Sequence, residues 1–260
     1  MTSPARHVVA VASGKGGVGK STVALNLALA LQADGARVGI LDADVYGPDI
    51  PLMVNLTRKV SMSHWTLARA SDAPKLEPVE ALGLKIMSTG FIIGESAAFT
   101  WSSPLVSRLA HQLFHEVAWG ELDYLFVDLP PGTADLQQQF ASTFELSGVV
   151  IVVTPPDVAH LDAKKAVTMF REKGVRILGG VENMSGMLCP HCGEHVDVLP
   201  RVPKERSVWS DGVEWLGSIP MDPAVGLGGN AGKPVVIAAP DSEPAKAFRI
   251  VAGAIASALG

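Results

Sequence analysis

The sequence predicts a doubly wound α/β fold, a mostly parallel sheet with helices on both faces. Three observations predict it. Short apolar runs alternate with helix-periodic stretches along the chain, the pattern of repeated βαβ units. One run, residues 149–153 (VVIVV), is apolar on both faces of a strand and so reads as buried between two layers. Three runs end in Asp42, Asp128 and Asn183, and ligands of such folds bind beyond the carboxyl ends of the strands.

The elements follow in order. Residues 8–12 (VVAVA) form a strand and residues 21–33 a helix. Residues 37–41 (RVGIL) form a strand ending at Asp42, and residues 84–88 another. Residues 103–117 read as a helix that puts Leu105, Val106, Leu109 and Leu113 on apolar faces. Residues 124–127 are a strand ending at Asp128, and residues 149–153 are the buried strand. Residues 162–173 form a helix stopped by Gly174. Residues 175–182 hold a strand ending at Asn183, residues 215–219 a short last strand, and residues 243–259 the closing helix. Residues 55–80 and 186–214 are rich in Pro, Ser and charge and read as irregular excursions from a single domain spanning 1–260.

Composition narrows the function classes. The 260 residues, 48% hydrophobic and 18% charged, suit one α/β domain with a large core. A net charge of −5 provides no general polyanion-binding surface, so nucleic acid is not an expected partner. No apolar run approaches the ~18–20 residues of a membrane span, so no membrane partner is expected. Met1 to Arg6 leads straight into the first strand without a signal peptide. Only two cysteines are present, Cys189 and Cys192, too few for a disulfide framework. A reducing, cytoplasmic location is the expectation.

Residues 13–22 read SGKGGVGKST, which fits G-x-x-x-x-G-K-[ST] between a strand and a helix. Backbone N–H groups there wrap a polyphosphate at a helix N-terminus, so the loop needs glycine. Gly14, Lys15, Gly16, Gly17, Val18, Gly19, Lys20, Ser21 and Thr22 are the nucleotide-binding candidates. Lys20 reaches the β- and γ-phosphates, and the Ser21 hydroxyl binds Mg²⁺. Lys15 is an extra lysine inside the loop, either a solvated surface residue or one that reaches a nucleotide held by a second copy. Asp42 and Asp44 alternate so that both carboxylates face one side, suited to a Mg²⁺-bound water and an attacking water. Asp128, after Leu-Phe-Val, has the form of a Walker B acid. Pro130-Pro131-Gly132-Thr133 then makes a stiff turn. Each Asp also suits a cap or turn. Asn183 reads as a contact to an adenine edge or as an ordinary turn residue.

Cys189-Pro190-His191-Cys192-Gly193 allows several readings. A redox dithiol usually opens a helix, whereas Pro and Gly flank this pair. One Cys-x-x-Cys cannot complete a four-sulfur site, but two copies across a two-fold axis can. A Cys₂His₂ zinc site with His191 and His195 departs from the usual spacing. Structural, reduced thiols are the remaining alternative.

Taken together, these stretches resemble the Mrp/ApbC-type P-loop ATPases, iron–sulfur cluster carriers within the MinD/ParA-like deviant Walker group. The resemblance rests on residues 13–22, 41–51 (LDADVYGPDIP), 123–135 (DYLFVDLPPGTAD), 153–164, 181–193 (VENMSGMLCPHCG) and 216–222. It implies a P-loop NTPase fold and a slow, switch-type ATP hydrolase that carries clusters to apo-proteins from an assembly scaffold. It also implies a homodimer in which Lys15 contacts nucleotide across the interface. Lys20, Ser21 and Asp128 would serve phosphate and Mg²⁺, Asp44 hydrolysis, and Cys189 with Cys192 a bridging [4Fe–4S] cluster. The alternatives are a MinD/ParA-like positioning or partition ATPase and a zinc-bridged dimeric ATPase. Three departures stand out. Trp101-Ser102-Ser103-Pro104 replaces Trp-Arg-Gly-Pro, Ala134 replaces a glycine, and residues 194–214 carry charge where the family is Gly-rich. The extra N-terminal domain of some members is not expected here.

Overall fold

The alternating apolar runs build one eight-stranded sheet. The computed structural model describes residues 3–56, 76–91, 103–132 and 135–260. In chain order the sheet strands are β1 (His7–Ala12), β2 (Val38–Asp42), β3 (Val79–Ala81), β4 (Leu84–Ser88), β5 (Tyr124–Asp128), β6 (Gly148–Val153), β7 (Ile177–Asn183) and β10 (Trp215–Ile219). Two more, β8 (Met187–Leu188) and β9 (His195–Val196), pair only with each other. The spatial order is β10-β7-β6-β1-β5-β2-β4-β3. Every pairing is parallel except the β3–β4 hairpin at one edge. The doubly wound expectation therefore holds, with a short antiparallel strand added. β3 escapes a sequence reading because three residues carry too little pattern.

The helices are α1 (Lys20–Ala33), α2 (Ile50–Met53), α3 (Ser103–His115), α4 (Asp135–Thr143), α5 (Asp157–Glu172), α6 (Pro223–Asn230), α7 (Val235–Ala238) and α8 (Glu243–Leu259). α1 is buried almost all round, from Val23 through Leu31, because it lies between the sheet and α8. Fully burying each of its leucines contributes roughly 1.5–3 kcal/mol. Asp34 caps it, and Gly35 at φ 94° turns the chain away. α8 starts at Ser242, whose hydroxyl accepts from Ala245 N at 3.4 Å, with Pro244 in its first turn.

Several boundaries move. α5 starts five residues before the expected 162, directly after Pro156. Near its start Val158 and Leu161 are exposed, so their apolar character does not mark the core face. α3 stops at His115, and Val117 forms a parallel bridge with Leu76 instead. Sequence reasoning missed α4, whose Gln-rich start hides the buried Phe140. It also missed α6 and α7, where glycine opposes helix but Asp222 caps the start by accepting from Ala224 N at 2.7 Å. The expected irregularity of 186–214 is corrected by the β8–β9 hairpin and two 3₁₀ turns, Lys204–Arg206 and Val208–Asp211. Most of 55–80, as well as Trp101, Ser102, Thr133 and Ala134, lies outside the described residues.

Candidate functional site

Strand register gathers the acids. Asp42 on β2 pairs with Asp128 on β5 and with Ser88 on β4, while Asp128 also lies beside Val11 at the end of β1. β1 then runs into the phosphate loop, so loop and acids share one edge of the sheet, beyond the carboxyl ends of the strands.

The loop has the geometry its glycines predict. Gly17 and Gly19 sit at φ 79° and 80°, the left-handed region that side chains avoid. An added Cβ on Gly17 would meet nothing within 4 Å, so that residue faces an open cradle. A Cβ on Gly14 would clash with the Asp162 carbonyl carbon, because α5 packs directly on the loop's start. Gly19 hands the chain to α1, whose N-terminus favours anions. Gly16 and Gly17 are exposed, Lys15, Ser21 and Thr22 are half-buried, and Val18 is buried and contributes only its backbone. Among the described residues Lys15 makes no ion pair. The Pro-Pro-Gly turn docks on the loop, since Gly132 N donates to Ser13 O at 3.0 Å. Gln137, which sequence reasoning missed, bridges the two, its amide donating to Ser13 O and Pro130 O.

Lys20 is 6% exposed and its Nζ lies 2.6 Å from Asp128 Oδ1 and 3.8 Å from Asp44 Oδ2. Burial works to lower its pKa, but the charges of Asp128, Asp44 and Asp42 outweigh it and hold the ammonium above the usual lysine range. Asp42 is wholly buried. Its Oδ2 accepts from Ser88 Oγ at 2.9 Å and Ile50 N at 3.3 Å, and its Oδ1 from Asp44 N at 3.2 Å. Burial, then the neighbouring Asp128 charge, pushes its pKa well above the carboxylate range. Asp44 Oδ1 accepts from Tyr46 N and Gly47 N, which turns the chain after β2, and burial raises its pKa despite Lys20. Both carboxylates act on the Lys20 charge, with Asp42 the more enclosed. Asp49, exposed just before α2, has its pKa raised by partial desolvation and then by the Asp128 charge. Ser88 carried no sequence signal beyond its place at the end of β4.

These residues fit a nucleotide with its divalent cation. Asp128 Oδ2 is buried and finds no hydrogen-bond partner among the described residues, although such atoms are normally satisfied. With the cradle at Gly17, this leaves an acceptor and a set of donors at the mouth of a helix.

Asn183 ends β7 and is 6% exposed. Its Nδ2 donates to Val18 O at 2.8 Å and fills the space a Gly19 side chain would need. One of the amide's two N–H donors thus braces the loop, and the other donor and Oδ1 are not used by this bond. Asn183→Ala should leave Val18 O unpaired, cost about 1–3 kcal/mol of stability and weaken ADP binding in a calorimetric titration.

Beyond Asn183 the chain forms the β8–β9 hairpin, with the cysteine pair at its tip. Cys189 N donates to Glu194 O and Gly193 N to Cys189 O, both at 2.8 Å, and Gly193 takes φ 75°. Cys192 is exposed and Cys189 half-buried. The amides of Cys192 and His191 donate to the Cys189 sulfur and lower its pKa, which favours the thiolate, the metal-binding form. His195 packs over Gly186. Among the described residues no three His, Cys, Asp or Glu side chains gather to hold an ion.

The architecture is shared with solved structures. The nucleotide-binding protein from Archaeoglobus fulgidus in complex with ADP superposes with a TM-score of 0.75 at 34% identity, covering 94% of this chain and 93% of that one. The Pyrococcus furiosus cell division ATPase MinD has the same fold, with a TM-score of 0.69 at 23% identity, covering 97% and 99%. Among curated proteins, the iron–sulfur cluster carrier protein of Aquifex aeolicus is 44% identical over 95% of this chain and 66% of its own length. The mitochondrial iron–sulfur protein required for NADH dehydrogenase of Arabidopsis thaliana is 40% identical, over 98% of this chain and 79% of its own. The chain thus spans about two thirds of the Aquifex relative's length. Residues 4–256 match the ParA-type family described as the NUBPL iron-transfer P-loop NTPase. Glycine cradle, strand-end acids and full-length match together make the chain a member of the NUBPL iron-transfer family of P-loop NTPases.

Proposed function

We propose that this chain is an ATP-dependent carrier of iron–sulfur clusters that works as a homodimer, each copy lending Cys189 and Cys192 to one shared [4Fe–4S] cargo. The observation that carries the reading is the exposed two-thiol knuckle hung from β7, the strand whose Asn183 braces the phosphate loop. Two thiolates are half of the four-sulfur set such a cluster takes, and a two-fold axis supplies the other half.

The geometry supports the following roles. Backbone amides from Gly14 to Thr22 hold the triphosphate, and Lys20 exchanges its Asp128 partner for phosphate oxygens. Ser21 and Asp128 would hold Mg²⁺, which neutralises phosphate charge when bound. Asp44, on a turn whose amides already bind its other oxygen, orients the attacking water, and Asp42 supports that turn. Lys15 reaches the partner copy's nucleotide. Hydrolysis is slow without a partner, as in other switch-type P-loop proteins. The recipients are apo-proteins with open cysteine sites, and the donor is an assembly scaffold. The test is transfer from anaerobically reconstituted protein to an apo-ferredoxin. Mg·ATP should accelerate it, and a rate indifferent to nucleotide would remove ATP gating from the account.

A further inference from the structure

The charged segment after the cysteine hairpin is fastened to β7 and to the start of α5, the two elements that touch the ends of the phosphate loop. Glu182, next to Asn183 on β7, is a carboxylate only 5% exposed, where an unpaired charge is costly. Its Oε1 accepts from Ser185 Oγ at 2.6 Å and from Arg201 Nη1 at 2.9 Å. Arg201 also donates to Ser185 Oγ at 3.2 Å and to Asp197 Oδ1 at 3.0 Å. One guanidinium therefore joins the chain leaving β9 to the end of β7, one residue from the bond that holds Val18. A second tie runs to the loop's start. Val202 N donates to Pro155 O, and Arg206 pairs with Asp157, each at 2.9 Å. Asp157 opens α5, the helix against which Gly14 packs.

We propose that Arg201, through Glu182, is the positioning residue that couples the phosphate loop to the cysteine hairpin. A shift of the loop at Val18 reaches the thiols through Asn183, Glu182 and Arg201. Arg201 hydrogen-bonds to neither the loop nor a cysteine, so its effect is on coupling, not on either site. It lies in the charged segment 194–214 that follows the cysteine pair. The proposal rests on the cysteines being the cargo site, but its test needs no cluster.

The experiment measures alkylation of the two thiols by iodoacetamide in metal-free, reduced full-length protein, with and without Mg·ADP. In the wild-type chain nucleotide should change the rate about fivefold, the low end of ordinary coupling between sites. In Arg201→Ala the ratio should fall to about one, while calorimetry still shows ADP binding. Glu182→Gln, which keeps the side chain's shape, should behave the same way and carries the test if Arg201→Ala does not fold. A nucleotide response retained in the variants, or absent from the wild type, overturns the proposal. A missing cluster would overturn the carrier reading without touching this result.

Discussion

Lys20→Met is expected to lower ATP hydrolysis by about 10²–10³-fold, the usual cost of removing one electrostatic donor from a reacting site. The same change should destabilise the fold by about 3 kcal/mol at pH 7, because it leaves Asp128 and Asp44 buried without their cation. Urea unfolding and a phosphate-release assay check the two effects separately. The stability loss should depend on pH. Asp42 and Asp44 hold their protons more tightly in the folded chain than the usual carboxylate does. The native state therefore binds more protons than the unfolded one above the unfolded carboxylate pKa, and stability falls as pH rises through that window. Without Lys20 the upward shift grows. Lys20→Met should thus regain stability relative to wild type as pH is lowered from 7 toward 5. A gap between the two proteins that stays constant over this range would contradict the assignment of Lys20 as the counter-charge of the acid cluster.

Replacing Cys189 and Cys192 together with serine removes every thiol in the chain. After anaerobic reconstitution with iron and sulfide, bound iron should fall at least about tenfold, since thiolate is the ligand these clusters require. The fold should hardly notice. Cys192 is exposed and Cys189 half-buried, and surface substitutions of this kind usually stay within about 0.5 kcal/mol. Nucleotide binding should persist, because the loop's own bonds are untouched. Iron retained by the double variant would place the cargo elsewhere.

The parts of the site that were legible in sequence are those where chemistry constrains residue type locally. A loop needing two left-handed positions reads as glycine, at Gly17 and Gly19, and the acids mark the ends of apolar strands. The parts that were not legible depend on packing between distant segments. Ser88 matters because β4 lies beside β2, and Gln137 because a helix invisible in the sequence aims it at Ser13. Asn183 was visible as a strand-end amide, but its donor goes to Val18 rather than to free space. Arg201 reads as one charge among many until β7 places Glu182 opposite it. Helix starts were missed for a related reason. Val158 and Leu161 are apolar yet exposed, so periodicity alone puts the core on the wrong residues.

The central claim is that one knuckle from each of two chains holds a shared iron–sulfur cargo. Iron, zinc and acid-labile sulfide in protein purified without oxygen test it most directly. The account predicts about four irons and four sulfides per two chains, with little zinc. About one zinc per two chains and no labile sulfide would contradict it.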